Sequence, residues 1–300
     1  MSASLATAST VEQALAQLAA GARPVAGGTD LVVGARQGKA PLPERLVAIH
    51  RLAELSEIRE SSTEVALGAL VSHRRCSESG TVRGRLTALA DACAIVGSIA
   101  TRTTGTLGGN LMNASPAMET GGPLLCFGAS VTLRSAAGSR SLGIDELLAG
   151  PGRTTAASDE LLEAVSVPLP PAGTGSCYAR LEYRRQMEIA IAGATAVVTL
   201  ANGEVTDARI AMTALSPAIG RAGEAEAALI GSGGEPDAIR RAAQALAAAA
   251  SPISDVRASA SYRRAMAVVI GRRAIEAALA RARGEWVPVP ASTALHGGVR

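Results

Sequence analysis

The amino-acid sequence predicts an α+β fold in two domains, and three observations lead there. A stretch rich in Pro and Gly, Pro168 to Gly175, separates two kinds of pattern. Before it, short apolar runs alternate with helical segments, as in α/β layers. After it, two β-prone runs flank Asn202-Gly203, a strong hairpin signal, and the remainder is helical, which predicts a small antiparallel sheet with a helical bundle. The expected division is 1–174, itself split into subdomains of about 1–56 and 57–174, then 175–284, then a tail over 285–300.

Thr10-Val-Glu-Gln13 reads as a capping box opening a helix that Gly21 closes. Val25 and Ala26 end a short strand, so Gly27, Gly28 and Thr29 fall at its exit and Asp30 can cap a helix over Leu31 to Ala35. Gly38 to Pro43 breaks the pattern, Leu46 to Ile49 is a strand, and Leu52 and Leu55 mark a short helical or turn segment. Val65 to Gly68 is another strand. His73 follows it with no carboxylate or nucleophile for company and reads as a surface or cap residue; the same holds for His50. Leu86 to Ala94 carries apolar residues at helical spacing, and Pro123 to Gly128 resembles a buried helical turn, with Cys93 and Cys126 as small core residues. Val131 to Leu133 is a strand, Leu142 to Leu148 a helix, and Glu160 to Val167 a strand stopped by Pro168 and Pro170.

Beyond the boundary, Tyr178 to Tyr183 alternates, and Ala194 to Leu200 and Val205 to Leu215 pair across the hairpin turn. Ala222 to Ile230, Pro236 to Ala250 and Ser259 to Ala282 are helices. Trp286 to Arg300 reads as an arm packing on a neighbour or as a loose tail. No repeat emerges at a fixed period.

Composition narrows the function classes. The 48% hydrophobic content is aliphatic, with one Phe, three Tyr and one Trp, so aromatic stacking carries little. No run reaches the roughly 18 apolar residues that span a bilayer, and the opening residues lack a basic leader with an apolar core, which points to a cytoplasmic protein without a membrane span. A net charge of +3 with interspersed signs argues against nucleic acid. Cysteines at 76, 93, 126 and 177 and histidines at 50, 73 and 296 have no metal- or cluster-binding spacing, so no metal site is expected.

Two stretches are built to hold something polar. Thr101-Arg-Thr-Thr-Gly-Thr-Leu-Gly-Gly-Asn-Leu-Met-Asn-Ala-Ser-Pro-Ala-Met-Glu119 reads as a loop that places glycines permitting close approach among hydroxyls and amides. Pro24-Val-Ala-Gly-Gly-Thr-Asp-Leu31 lies at a strand exit, where consecutive N–H groups form a nest for an anion. Neither is a G-x-G-x-x-G or a P-loop, yet together they suggest one extended, phosphate-bearing ligand held at two places.

These stretches, taken with Ser254-Asp-Val-Arg-Ala-Ser-Ala-Ser-Tyr-Arg-Arg264 and its helical continuation to Ala278, resemble the FAD-binding (medium) subunit of the molybdenum hydroxylases, the xanthine dehydrogenase and carbon monoxide dehydrogenase family. The likeness covers about residues 5–284. It implies an FAD domain of two α/β subdomains of the vanillyl-alcohol-oxidase (PCMH-like) type, followed by the C-terminal domain of the CO dehydrogenase flavoproteins. It implies that Pro24, Val25, Ala26, Gly27, Gly28, Thr29, Asp30 and Leu31 wrap the FAD diphosphate and adjoining sugars together with Thr106, Leu107, Gly108, Gly109 and Asn110. Val96, Glu119, Leu162 and Arg180 match further FAD contacts. Glu119 stands where aspartate is usual and Arg180 where lysine is frequent, while Glu188 replaces an aspartate in Tyr183-Arg-Arg-Gln-Met-Glu-Ile-Ala190.

The resemblance also implies a division of labour, with no catalytic residue on this chain. A large molybdopterin-binding partner oxidises the substrate, a small partner passes electrons through [2Fe–2S] clusters, and FAD here delivers them to NAD⁺, oxygen or another acceptor, in a dimer of heterotrimers. Two other readings stay open. One is a self-contained FAD-dependent oxidoreductase of the enolpyruvyl-reductase-like fold, which would need a substrate site in the second domain. The other is a flavin-free scaffold subunit, against which two intact glycine stretches stand.

Overall fold

The computed structural model describes residues 4–184 and 186–292. The chain opens with β1 (Ser4–Thr7), α1 (Val11–Ala19), β2 (Arg23–Val25), α2 (Leu31–Arg36) and β3 (Arg45–Ala48). These strands form a parallel sheet in the order β1-β3-β2. Val11, Ala14, Leu15 and Leu18 recur at helical spacing and bury one face of α1 with Val47, Ile49, Leu52 and Leu55. Each leucine so buried contributes about 1.5–3 kcal/mol. The expected capping box is displaced by one residue. Thr10 Oγ1 accepts from the Gln13 N–H at 3.2 Å, but the Gln13 side chain reaches back to the N–H of Ser9 at 3.0 Å.

The next segment contains β4 (Ile58–Glu60), β5 (Glu64–Gly68), α3 (His73–Glu78), α4 (Gly80–Arg85), α5 (Thr87–Ile95), α6 (Ile99–Thr104), α7 (Leu107–Asn113) and α8 (Gly121–Cys126). It continues through β6 (Ser130–Ser135), β7 (Gly138–Gly143), α9 (Ile144–Leu147), β8 (Leu148–Gly150), β9 (Arg153–Thr154) and β10 (Leu161–Pro168). Its main sheet has the order β4-β5-β10-β6-β7 and is antiparallel throughout. Val65, Leu67, Val131, Leu133, Val165 and Val167 project from the sheet into a core closed by Leu86, Leu89, Leu107 and Leu111. The glycine-rich segment 101–119, expected as a loop, is largely helical, through the end of α6 and through α7, whose Leu107 and Leu111 are buried in this core. Leu142, expected in a helix, belongs instead to β7, where it pairs with Val131; cross-strand burial outweighs the local spacing.

The last unit holds β11 (Thr174–Leu181), β12 (Ala192–Ala201), β13 (Glu204–Thr213), β14 (Gly220–Arg221), α10 (Gly223–Ala227), α11 (Pro236–Ala249) and α12 (Ala260–Ala282). The strands run β11-β12-β13-β14, all antiparallel. Asn202 (φ 52°) and Gly203 (φ 83°) are both left-handed, the turn their sequence favours. One face of the sheet is covered by α12, against which α11 packs, and Ala242, Leu246, Ala267, Ile270 and Ala274 lie in their shared core.

The region after α12 does not project outward. The Ala291 N–H donates to Asp91 Oδ1 at 3.0 Å, and Ala291 is fully buried, so residues 287–291 turn back onto the chain's own α5 and α12, although Trp286 stays exposed. Residues 293–300 of the expected tail lie outside the described residues.

Candidate functional site

The first polar stretch leaves β2 at Val25 and turns at Gly28, whose φ of +68° lies where a side chain is disfavoured. The N–H groups of Gly27, Gly28, Thr29 and Asp30 donate to no backbone carbonyl among the described residues. Asp30 occupies the cap position of α2 but makes no capping bond, contrary to expectation, which leaves its carboxylate as an acceptor. These are donors in series with an acceptor beside them, the arrangement that suits a diphosphate and its sugar hydroxyls.

The second stretch comes to meet the first. A Cβ on Gly27 would land on the carbonyl oxygen of Thr104, 2.7 Å from its carbon and 3.1 Å from Gly105 Cα. A Cβ on Gly105 would stand 3.3 Å from Thr29 Oγ1. The seam closes because both faces are glycine backbone.

From there the chain enters α7, and the residues expected to bind divide by what they already hold. Leu107 and Gly108 donate their N–H groups to Val71 O and Ala69 O, both at 2.9 Å, and a Cβ on Gly108 would press on Ala69 Cβ at 2.7 Å. Gly108 is therefore demanded by internal packing. The Gly109 N–H is held by Thr106 Oγ1 at 3.1 Å, a cap that occupies both groups. Gly109 itself is exposed, and a Cβ there would meet only that hydroxyl, at 3.0 Å. Asn110 Oδ1 accepts from Thr120 Oγ1 at 2.6 Å, which leaves its amide N–H groups to donate outward.

Adjacent to Thr120, Glu119 forms a buried ion pair with Arg180 of β11, and Arg180 Nε is also paired with Glu182. The two residues expected to contact the ligand thus also hold each other. Burial pushes the Glu119 carboxyl above its ordinary range, and the Arg180 guanidinium opposes that shift. Arg180 Nη2 is buried and has no hydrogen-bond partner among the described residues, so one donor remains uncommitted there. Val96 ends α5, and its carbonyl accepts from Arg102 Nη1 at 3.1 Å. Leu162 is 3% exposed within β10 and is part of the core beneath α7, so its side chain is occupied by packing. The structure thus gathers 24–31, 104–110, 119–120 and 180 along one path.

Sequence reasoning missed His73. It is 2% exposed, not a surface residue, and its backbone N–H donates to Gly105 O at 3.1 Å. No residue beside it in sequence signalled its burial. Burial first, and then the charge of Arg102, lower the His73 pKa from 6.5 to about 4. An imidazole depressed in the folded state binds fewer protons than in the unfolded chain between those values, so its contribution is intact above pH 6.5 and is lost as pH falls towards 4. In the FAD-free chain, the stability gap to His73→Gln is expected to move by about 3 kcal/mol in the variant's favour between pH 7 and pH 4. Urea titrations at the two pH values measure it, and a constant gap would contradict the assignment.

Among the described residues no group of three or more His, Cys, Asp or Glu could hold a metal ion, and no helix is long and apolar enough to cross a membrane.

Comparison with known proteins agrees with this geometry. Residues 1–170 match the family model for the FAD binding domain in molybdopterin dehydrogenase, and residues 177–278 match that for the CO dehydrogenase flavoprotein C-terminal domain. The chain is 32% identical over 269 residues to the carbon monoxide dehydrogenase medium chain of Afipia carboxidovorans, covering 90% of this chain and 93% of that one. It is 35% identical over 282 residues to the 6-hydroxypseudooxynicotine dehydrogenase complex subunit alpha of Paenarthrobacter nicotinovorans, covering 92% and 94%. Its fold matches a solved carbon monoxide dehydrogenase from Hydrogenophaga pseudoflava with a TM-score of 0.89 at 32% identity, over 94% of this chain and 98% of that one. With both halves matched in order and the fold shared nearly end to end, this chain belongs to the molybdopterin dehydrogenase family, of the xanthine dehydrogenase and carbon monoxide dehydrogenase type, as its FAD-binding medium subunit.

Proposed function

We propose that this chain carries FAD as the electron outlet of a cytoplasmic molybdenum hydroxylase, receiving electrons from the [2Fe–2S] clusters of a small subunit after a large molybdopterin subunit has oxidised the substrate. The observation that carries this reading is the seam at which Gly27 meets Thr104 and Gly105, beside N–H groups of Gly27 to Asp30 that donate to no backbone carbonyl among the described residues. Bound FAD would supply the transfer of electrons to NAD⁺, oxygen or another acceptor. The protein's part is binding and orientation. Residues 27–30 offer backbone donors to the diphosphate, Asp30 and Asn110 offer an acceptor and donors to sugar hydroxyls, and the Glu119–Arg180 pair braces the wall that joins α8 to β11. The division at residue 174, with subdomains 1–56 and 57–174, and an assembly as a dimer of heterotrimers belong to the same proposal. Family membership supports placing substrate oxidation on a partner.

Gly109→Val is expected to lower FAD occupancy, because its side chain would fill the space in front of the cradle while touching little of the protein. Flavin absorbance after purification measures this, and full retention would count against the cradle. For the whole assembly, stopped-flow reduction by substrate followed by NAD⁺ or oxygen tests the relay. A complex whose flavin stays oxidised while its substrate is consumed would refute it.

A further inference from the structure

Beneath the seam lies a side chain whose burial no hydrogen bond of its own explains. His73 Nδ1 is fully buried and has no partner among the described residues. The opposite edge of the ring faces the junction, since a Cβ on Gly105 would stand 3.4 Å from His73 Cδ2 and 3.3 Å from Thr29 Oγ1. Nε2 is bonded to Cδ2 and therefore shares that edge. The His73 N–H to Gly105 O bond, at 3.1 Å, fixes the ring's backbone to the same glycine.

The tautomer follows from the cost of an unpaired donor. A proton on Nδ1 would bury an N–H with nothing to accept it, whereas a proton on Nε2 puts the donor on the edge turned to the seam. The lowered pKa agrees with a neutral ring. We propose that His73 is a binding residue of the cradle, donating from Nε2–H to a phosphate oxygen of the dinucleotide held between residues 27–29 and 104–105. This rests on the FAD reading above and adds to it a side chain that neither glycine stretch contains. It also accounts for a polar residue in an otherwise apolar position under the loops.

The test uses the full chain, free and loaded with FAD. With ¹⁵N-labelled histidine, the His73 resonances are expected to report the Nε2–H tautomer, with the proton moving downfield when FAD binds. His73→Phe, which keeps the ring's bulk without a donor, is expected to weaken FAD binding about ten- to hundredfold, as loss of a hydrogen bond to a charged group does. His73→Gln, which restores an amide donor near the Nε2 position, is expected to recover most of that loss. An Nδ1–H tautomer, a resonance indifferent to FAD, or a His73→Phe chain that binds FAD like the wild type would overturn the proposal. If His73→Phe fails to fold in the FAD-free state, the labelled wild type decides. A wild type that takes up no FAD at all would instead overturn the flavin reading, and this assignment with it.

Discussion

Asp91→Ala is expected to cost about 3–5 kcal/mol of folding stability, the range for breaking a buried ion pair from one side. Asp91 is fully buried on α5, and its carboxylate accepts from four donors. Arg281 of α12 gives two of them, Nη1 at 2.6 Å and Nη2 at 3.0 Å; the Tyr178 N–H of β11 and the Ala291 N–H after α12 supply the others at 3.2 Å and 3.0 Å. The same guanidinium donates to Ser176 O at 2.6 Å and Pro288 O at 2.8 Å. One carboxylate thus ties the helical layer of the first domain to the sheet, the long helix and the terminal segment of the second. Burial raises the Asp91 pKa, and the Arg281 hydrogen bonds and charge oppose that shift. Removing the carboxylate strands a buried cation and two N–H groups at once. Against a typical total of about 5–15 kcal/mol, that leaves a domain near its threshold. Denaturant titration of the FAD-free chain measures the loss; a change below about 1 kcal/mol would show that the hub contributes little. Asp91→Asn, which retains an acceptor, should fall between.

Gly27→Ala is expected to abolish most FAD uptake while leaving the fold in place. The added methyl would collide with the Thr104 carbonyl, which is backbone and cannot rotate away, so the two polar stretches must part. Overpacking of this kind costs about 1–3 kcal/mol. Expressed wholly in binding, that is about five- to 150-fold in affinity. Gly84→Ala, on the exposed side of α4, is the matched control, since no atom lies within 4 Å of its added methyl. Flavin fluorescence quenching on titration of FAD into the stripped chain reads both. Equal affinities for Gly27→Ala and wild type would show that the seam is not part of the cradle.

Several elements are legible in the residues alone. Asn202-Gly203 demands a left-handed turn, Pro236 opens a helix, and the glycines after Val25 mark a strand exit where backbone can be approached closely. These depend on φ preferences and side-chain periodicity, which act over a few residues. The expectations that fail are of a different kind. Segment 101–119 reads as a loop because its glycines disfavour helix, yet burial of Leu107 and Leu111 against the β5–β10 sheet holds α7 together. His73 reads as a surface residue because nothing beside it in sequence could partner it. The pairing of Glu119 with Arg180, 61 positions apart, is likewise announced by no local pattern.

By itself, then, the amino-acid order determined the α+β class, the hairpin and helices of the last unit, and one strand exit whose backbone suits an anion. Tertiary structure alone decided that Gly27 faces Thr104, that His73 lies under their junction, and that Asp91 finds Arg281 across 190 residues. Local conformational preference is a property of neighbouring residues. Which donor meets which acceptor is settled only when burial removes water and leaves each polar group dependent on whatever the packing has placed beside it.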